Sequence, residues 1–142
     1  MTLLLDTNVV SEWVKPRPEP RVVRWLADVD EDRVFISVVT VGELRRGIAR
    51  LPAGRRRERL DEWLRDELSQ RFEGRVLPID VTIANVWGTI VAQRERAGRP
   101  ISTMDAFMAA TADVHGLTLV TRNASDFRAA VRTVFDPWTQ VG

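Results

Sequence analysis

The chain has no cysteine and a single histidine, His115. Without cysteine there is no disulfide, no thiolate metal centre and no thiol nucleophile. One imidazole is too few for zinc sites that need several, and it leaves a serine-histidine-aspartate triad one candidate base. Lysine is nearly absent: Lys15 stands alone, and the other 20 of the 21 basic residues are arginine. Genomic base composition accounts for most of such a bias, although guanidinium groups also suit phosphate contacts. The net charge of +1 says nothing about nucleic acid by itself. Long apolar runs are missing as well, and no stretch approaches the ~20 residues that cross a bilayer. The opening Met1-Thr-Leu-Leu-Leu run is cut by Asp6 and has no basic region before it, unlike a signal peptide. These absences predict a soluble, cytoplasmic protein. With no repeat, low-complexity tract or dividing linker, the 142 residues predict a single domain over 1–142.

What is present alternates. Short apolar runs are followed by amphipathic stretches, the pattern of a mostly parallel α/β sheet. Strands are expected at Leu3 to Leu5, Val34 to Val39, Val76 to Ile79, Leu117 to Val120 and Arg132 to Phe135. Helices are expected from Pro20 to Asp28, Thr40 to Leu51, Arg55 to Phe72, Asp80 to Ala97 and Ser102 to His115. Pro16, Pro18 and Pro20 mark an extended connection, and Gly54, Gly74, Gly98 and Gly116 stand at breaks.

Acidic and amide groups fall where strands end or helices begin. Asp6 follows the first strand, and Glu43 and Asp105 lie in the first turns of helices. Asn123 and Asp126 follow the fourth strand. In open α/β sheets, ligands bind beyond the carboxyl ends of strands, where the strand order reverses. Each group also has a plain structural use. Thr40-x-x-Glu43 and Ser102-x-x-Asp105 both fit a capping box, and Asp6 fits an Asx turn or helix cap. Jointly, carboxylates at one sheet edge repel and call for a cation or a raised pKa. Oxygen-only ligands favour Mg²⁺ or Mn²⁺, which can activate water and neutralise charge on a phosphodiester.

Other polar and aromatic residues have simpler readings. Asp80 is expected to cap its helix, and His115 to end one where the dipole favours a cation. Trp25, Trp63 and Trp87 sit in amphipathic helices and are expected in the core or an interface. Arg45, Arg46 and Arg50 open the densest basic segment, which continues through Arg65. It is either a solvated helix face or a track for an RNA backbone.

These motifs resemble the PIN-domain family, specifically the VapC-type toxins of bacterial toxin–antitoxin pairs. Leu5-Asp-Thr-Asn-Val9, Ser37-Val-Val-Thr-Val-Gly-Glu43-Leu44, Asp105-Ala-Phe-Met-Ala-Ala-Thr111 and Thr121-Arg-Asn-Ala-Ser-Asp126-Phe127 are similar to the family's four motifs, in order. Asp6-Thr-Asn-Val-Val-Ser-Glu12 and Asp136-Pro-Trp138 are similar to its FitB-like branch. The resemblance implies a three-layer α/β/α fold with a five-stranded sheet of order 3-2-1-4-5. It implies a magnesium-dependent endoribonuclease, with Mn²⁺ a substitute, in which metal-activated water leaves a 5′-phosphate and a 3′-hydroxyl. Asp6, Glu43 and Asp105 would be the catalytic and metal-binding acids, with Asn123 or Asp126 contributing through water. Many members carry an acid at the place of Asn123. Thr7, Asn8 and Thr121 would orient the carboxylates. The implied partners are RNA, a second copy of the chain and a VapB-like antitoxin, docking near the helices of Trp25 and Trp63. The alternative is a catalytically weak PIN-like module that binds RNA or a partner, which Asn123 favours. A haloacid-dehalogenase-like phosphatase fits less well, because Asn8 stands where its second aspartate belongs.

Overall fold

A computed structural model of the chain describes residues 2–139. Five strands, β1 (Leu3–Leu5), β2 (Val34–Ser37), β3 (Val76–Leu77), β4 (Thr118–Val120) and β5 (Val134–Phe135), form one sheet in the order β3-β2-β1-β4-β5. Every pairing is parallel, with Leu3 opposite both Val34 and Thr118, and Val120 opposite Phe135. The chain fills the sheet outward from β1 in one direction, then returns to fill the other side. The order therefore reverses beside β1, and that places the switch point between β1 and β4.

The helices are α1 (Thr7–Val10), α2 (Pro20–Asp28), α3 (Val38–Ala49), α4 (Arg55–Glu62), α5 (Ser69–Arg71), α6 (Val81–Arg96), α7 (Thr103–His115) and α8 (Ala124–Phe127). Side chains alternate across β1, so Leu3 and Leu5 face one layer and Leu4 the other. The first layer packs Val9, Val22, Leu26, Leu64, Leu68 and Phe72 on the sheet. The second packs Ile83, Ile90, Ala106, Met108, Ala109 and Phe127 on the opposite face. This is the three-layer α/β/α arrangement expected. No helix among the described residues is long and apolar enough to cross a membrane.

Two local departures from expectation have physical causes. The β-branched run was expected as strand through Val39, but Val38 and Val39 open α3. Ser37 accepts a hydrogen bond from the Val39 amide at 3.0 Å and caps the helix there, which outweighs strand propensity. The third strand ends at Leu77 rather than Ile79, because Pro78 has no amide to give the ladder. The residues after Asp6, to which no element was assigned, form α1 and a 3₁₀ turn, Ser11–Val14. Such short helices carry too few turns for a periodic signal.

The long helical stretch from Arg55 is not uniform. A π-helical segment, Trp63–Leu68, joins α4 to α5, and Ser69 Oγ bonds the Leu64 carbonyl at 3.2 Å. In a strict α-helix each step of four residues drifts by about 40°. The wider π turn offsets this, so Leu64, Leu68 and Phe72 all remain buried on the core side.

Helix ends follow their expected chemistry. Asp80 Oδ1 accepts from the Ile83 amide at 2.9 Å, capping α6. Gly116 takes φ 64° just after His115, a left-handed position that favours glycine, and lets Leu117 N reach Ala112 O at 2.8 Å. Trp25 stacks on Phe135 with centroids 5.3 Å apart, and Trp87 stacks on Phe107 at 4.9 Å.

Candidate functional site

Parallel strands bring their carboxyl ends to one edge, so the residues following β1, β2 and β4 must meet there. Asp6 extends β1 by one residue, its amide donating to Val120 O at 2.9 Å. Its side chain then turns into the switch point and is only 6% exposed. Oδ1 accepts from the Thr7 amide at 2.8 Å, so Asp6 does cap α1 as its dull explanation requires. Oδ2 does something a cap does not need. It accepts from the Thr121 hydroxyl at 2.8 Å, across from β4, and from Asn8 Nδ2 at 3.5 Å.

Thr121 and Asn8 are themselves held. The Thr121 hydroxyl accepts from the Asn123 amide at 3.0 Å and from Asn8 Nδ2 at 3.4 Å. Asn8 Oδ1 accepts from the Arg122 amide at 3.3 Å. The turn after β4 is thereby tied to the helix after β1.

Glu43 and Asp105 part company over the capping box. The cap of α3 is Ser37, not Thr40, so the box anticipated around Thr40 and Glu43 does not form. Glu43 Oε1 instead accepts from the Thr7 hydroxyl at 2.6 Å, and that hydroxyl lies 3.1 Å from the buried Thr40 hydroxyl. Asp105 keeps more of its structural role. Ser102 caps α7 and its Oγ accepts from the Asp105 amide at 3.2 Å.

The electrostatics connect these groups. Burial above all, with smaller contributions from the charges of Asp105 and Glu43 and against the relief from Thr121 and the Thr7 amide, raises the Asp6 carboxyl from an ordinary 3.8 to about 6. Asp105, half-buried, is raised first by burial and then by Asp126, with Ser102 opposing. Asp126 is exposed in the first turn of α8, and Asn123 is exposed at its start without a side-chain cap. Among the described residues no lysine or arginine forms an ion pair with Asp6, Glu43 or Asp105. Nor do three Asp, Glu or His groups lie close enough to close on one ion.

The donor set still fits magnesium in kind. It is oxygen-only, uncompensated by a cation and partly buried. Magnesium keeps several waters and uses one or two protein carboxylates, so it does not demand a closed cage.

The three arginines expected to track RNA separate. Arg45 pairs with Asp61 on α4. Arg46 borders a groove of about 300 Å³ together with Glu43, Val39, Ile79, Met104 and Phe107. Arg50 is exposed beyond the end of α3.

Two contributors escaped sequence reasoning. Thr40 reads as a helix cap but is a buried support for Thr7. Arg94, in the last turn of α6, donates to the Asp126 carbonyl at 3.2 Å and the Arg99 carbonyl at 2.8 Å, and so steadies the α8 turn. Only its place near a helix end could have hinted at this.

The comparisons with known proteins agree with the fold. The PIN domain family matches residues 3–132. The chain is 41% identical over 136 residues to Toxin FitB of Neisseria gonorrhoeae, covering 96% of this chain and 98% of that protein. It is 38% identical over 136 residues to VapC ribonuclease Y4jK of Sinorhizobium fredii, covering 96% and 97%. The crystal structure of FitAcB from Neisseria gonorrhoeae superposes with a TM-score of 0.93 at 40% identity, over 98% of this chain and 100% of that one. With the acidic pocket at the switch point and the family match spanning nearly the whole chain, this protein belongs to the PIN-domain family.

Proposed function

We propose that the protein is a magnesium-dependent endoribonuclease and the toxin of a toxin–antitoxin pair. The observation that carries this reading is Asp6: a carboxylate 6% exposed at the switch point, facing two further acids and paired with no cation. A fold that needed only a helix cap could use serine or asparagine there. A buried anion kept among like charges is costly, and a bound cation removes the cost. The ribonuclease naming of Y4jK supports the same activity.

Asp6, Glu43 and Asp105 would hold the ion, with Asn123 or Asp126 reached through water. When bound, it supplies a water of lowered pKa and positive charge beside the phosphodiester. In the hydrolysis, the water oxygen bonds to phosphorus, the P–O3′ bond breaks and the 3′ oxygen takes a proton, leaving 5′-phosphate and 3′-hydroxyl ends. The protein's own part is orientation. Thr7 fixes Glu43, Thr121 and Asn8 fix Asp6, and Ser102 fixes the turn that presents Asp105.

The partners belong to the same proposal. FitAcB and VapBC structures are toxin–antitoxin complexes, and an antitoxin is the expected partner here. A groove of about 360 Å³ among Val14, Pro16, Arg56, Arg59, Leu60 and Trp63 offers such a segment a seat. Exposed Val38, Val81 and Met104 give a homodimer an apolar surface to use. A toxin acting on the RNA of its own cell would work in the cytoplasm.

The test is to incubate antitoxin-free protein with structured and single-stranded RNAs in Mg²⁺, Mn²⁺ or EDTA, beside Asp6→Asn and Asp105→Asn. Cleavage by wild type alone, abolished by EDTA, is the expected result. If RNA binds but is not cut with either metal, the binding module suggested by Asn123 is correct instead.

A further inference from the structure

Two of the sequence's marks have no role in the acidic pocket: Glu12 and Trp138. Glu12 is 2% exposed, on the 3₁₀ turn that continues α1. A charge so buried must be matched. Oε1 accepts from the Glu19 amide at 2.9 Å, and Lys15 Nζ lies 2.5 Å from Oε2. The Arg122 guanidinium also acts on it. That guanidinium sits over the Trp138 ring, 5.4 Å from its centroid. Trp138 is fixed in turn, its amide donating to Asp136 Oδ1 at 2.8 Å and its carbonyl accepting from Arg21 Nη1 at 2.9 Å.

The result is two buried anions, Glu12 and Asp136, and one aromatic face gathered with three cations, Lys15, Arg21 and Arg122. All three cations remain exposed. The three cations outnumber the two buried acids. The place matters more than the count. Arg122 directly follows Thr121, which holds Asp6, and its amide is bonded to Asn8. Along the sheet edge, Arg46 lies on the β2 side of Asp6 and Arg122 on the β4 side.

We propose that Arg122, with Lys15 beside it, is a phosphate-binding shelf that seats the RNA backbone on the β4 flank of the acidic pocket. This inference rests on the ribonuclease reading and names how the substrate is held. An acidic pocket repels a phosphodiester, so attraction must come from its flanks. A guanidinium is suited to that, because it binds phosphate oxygens in pairs while its plane rests on an aromatic ring. The shelf gives affinity without base selectivity, as backbone contacts do.

The experiment uses the full chain carrying Asp105→Asn, in EDTA, so that neither cleavage nor metal enters. Anisotropy of a labelled single-stranded RNA oligonucleotide is titrated at several KCl concentrations. Adding Arg122→Ala should weaken binding by about 5- to 10-fold and flatten the log K against log salt slope by about 0.7, one phosphate contact on a single strand. Arg122→Lys should keep the slope. Trp138→Leu should cost about 2- to 3-fold with the slope unchanged, because the charge remains but is no longer held. Unchanged affinity and slope in Arg122→Ala would overturn the proposal, as would an equal loss of slope in Arg122→Lys. A polyglutamate peptide that competes as well as RNA, and depends equally on Arg122, would mark an acidic-peptide site and also overturn it. Failure of the ribonuclease reading looks different: wild type then cuts no RNA with either metal, whatever residue stands at 122.

Discussion

The two ends of the sheet are made by the same strands, yet they hold opposite kinds of space. At the amino end, Leu3, Trp25, Val29, Thr118, Val134 and Phe135 border an apolar cavity of about 370 Å³. At the carboxyl end the strands run into Asp6, Ser37 and Thr121, and the space is lined by hydrogen-bonded carboxylates and hydroxyls. By volume and apolar lining, the amino end is the better pocket. By chemistry it has little to offer, since its charged rim residues Asp30 and Arg33 pair with each other at 3.7 Å. The difference teaches that in this fold the working end is marked by buried charge without a countercharge, not by cavity size.

The sharpest way to separate the ends is to disable each in turn. Asp105→Ala should lower RNA cleavage by roughly 10³-fold, as loss of a group that stabilises developing charge does, with far-UV dichroism unchanged. A second contrast is pH. The Asp6 carboxyl is raised from 3.8 to about 6 in the folded protein. Folding then favours its protonated form, so this contribution is fully present below about pH 3.8 and is lost as pH rises through about 6. For the metal-free protein the loss is worth up to about 3 kcal/mol. Urea denaturation of Asp6→Asn in EDTA should lack that slope between pH 4 and 7.

Trp25→Ala tests the other end. Trp25 is half-buried and stacked on Phe135, so its removal should cost about 2 kcal/mol, below the range for fully buried tryptophan. Turnover per folded molecule should not change. If cleavage falls with Asp105 intact and the protein folded, the amino end has a functional role and the comparison fails. Smallest of all, Ser37→Ala should cost about 1 kcal/mol of stability by uncapping α3. Thr40→Ala, although Thr40 fits the same cap pattern, should act on cleavage through Thr7 and Glu43.

That last pair shows where sequence reasoning reached and where it stopped. The parallel α/β class and the caps at Asp80 and Gly116 were legible from local pattern, whereas the strand order, and with it the meeting of Asp6 with the turn after β4, came from the family resemblance. The cap of α3 was not legible, since Ser37 and Thr40 are both competent and only the packed structure chooses between them. The helical segment after Asp6 was hidden by its shortness. The burial of Glu12 was hidden too, because a carboxylate followed by Lys15 reads equally well as a surface pair. Glu12 is inside because Glu19 folds back over it to donate an amide, a contact set by the Pro16 to Pro20 connection and not by spacing alone.

The central claim is that the uncompensated acids at the carboxyl end hold a divalent ion. The most direct measurement is a magnesium titration of the thermal midpoint for wild type and Asp6→Asn at pH 7.5. Wild type should rise with magnesium in proportion to ln(1 + [Mg²⁺]/Kd), and Asp6→Asn should start higher in EDTA and stay flat. A wild-type midpoint indifferent to magnesium, or one that Asp6→Asn follows equally, would contradict the account.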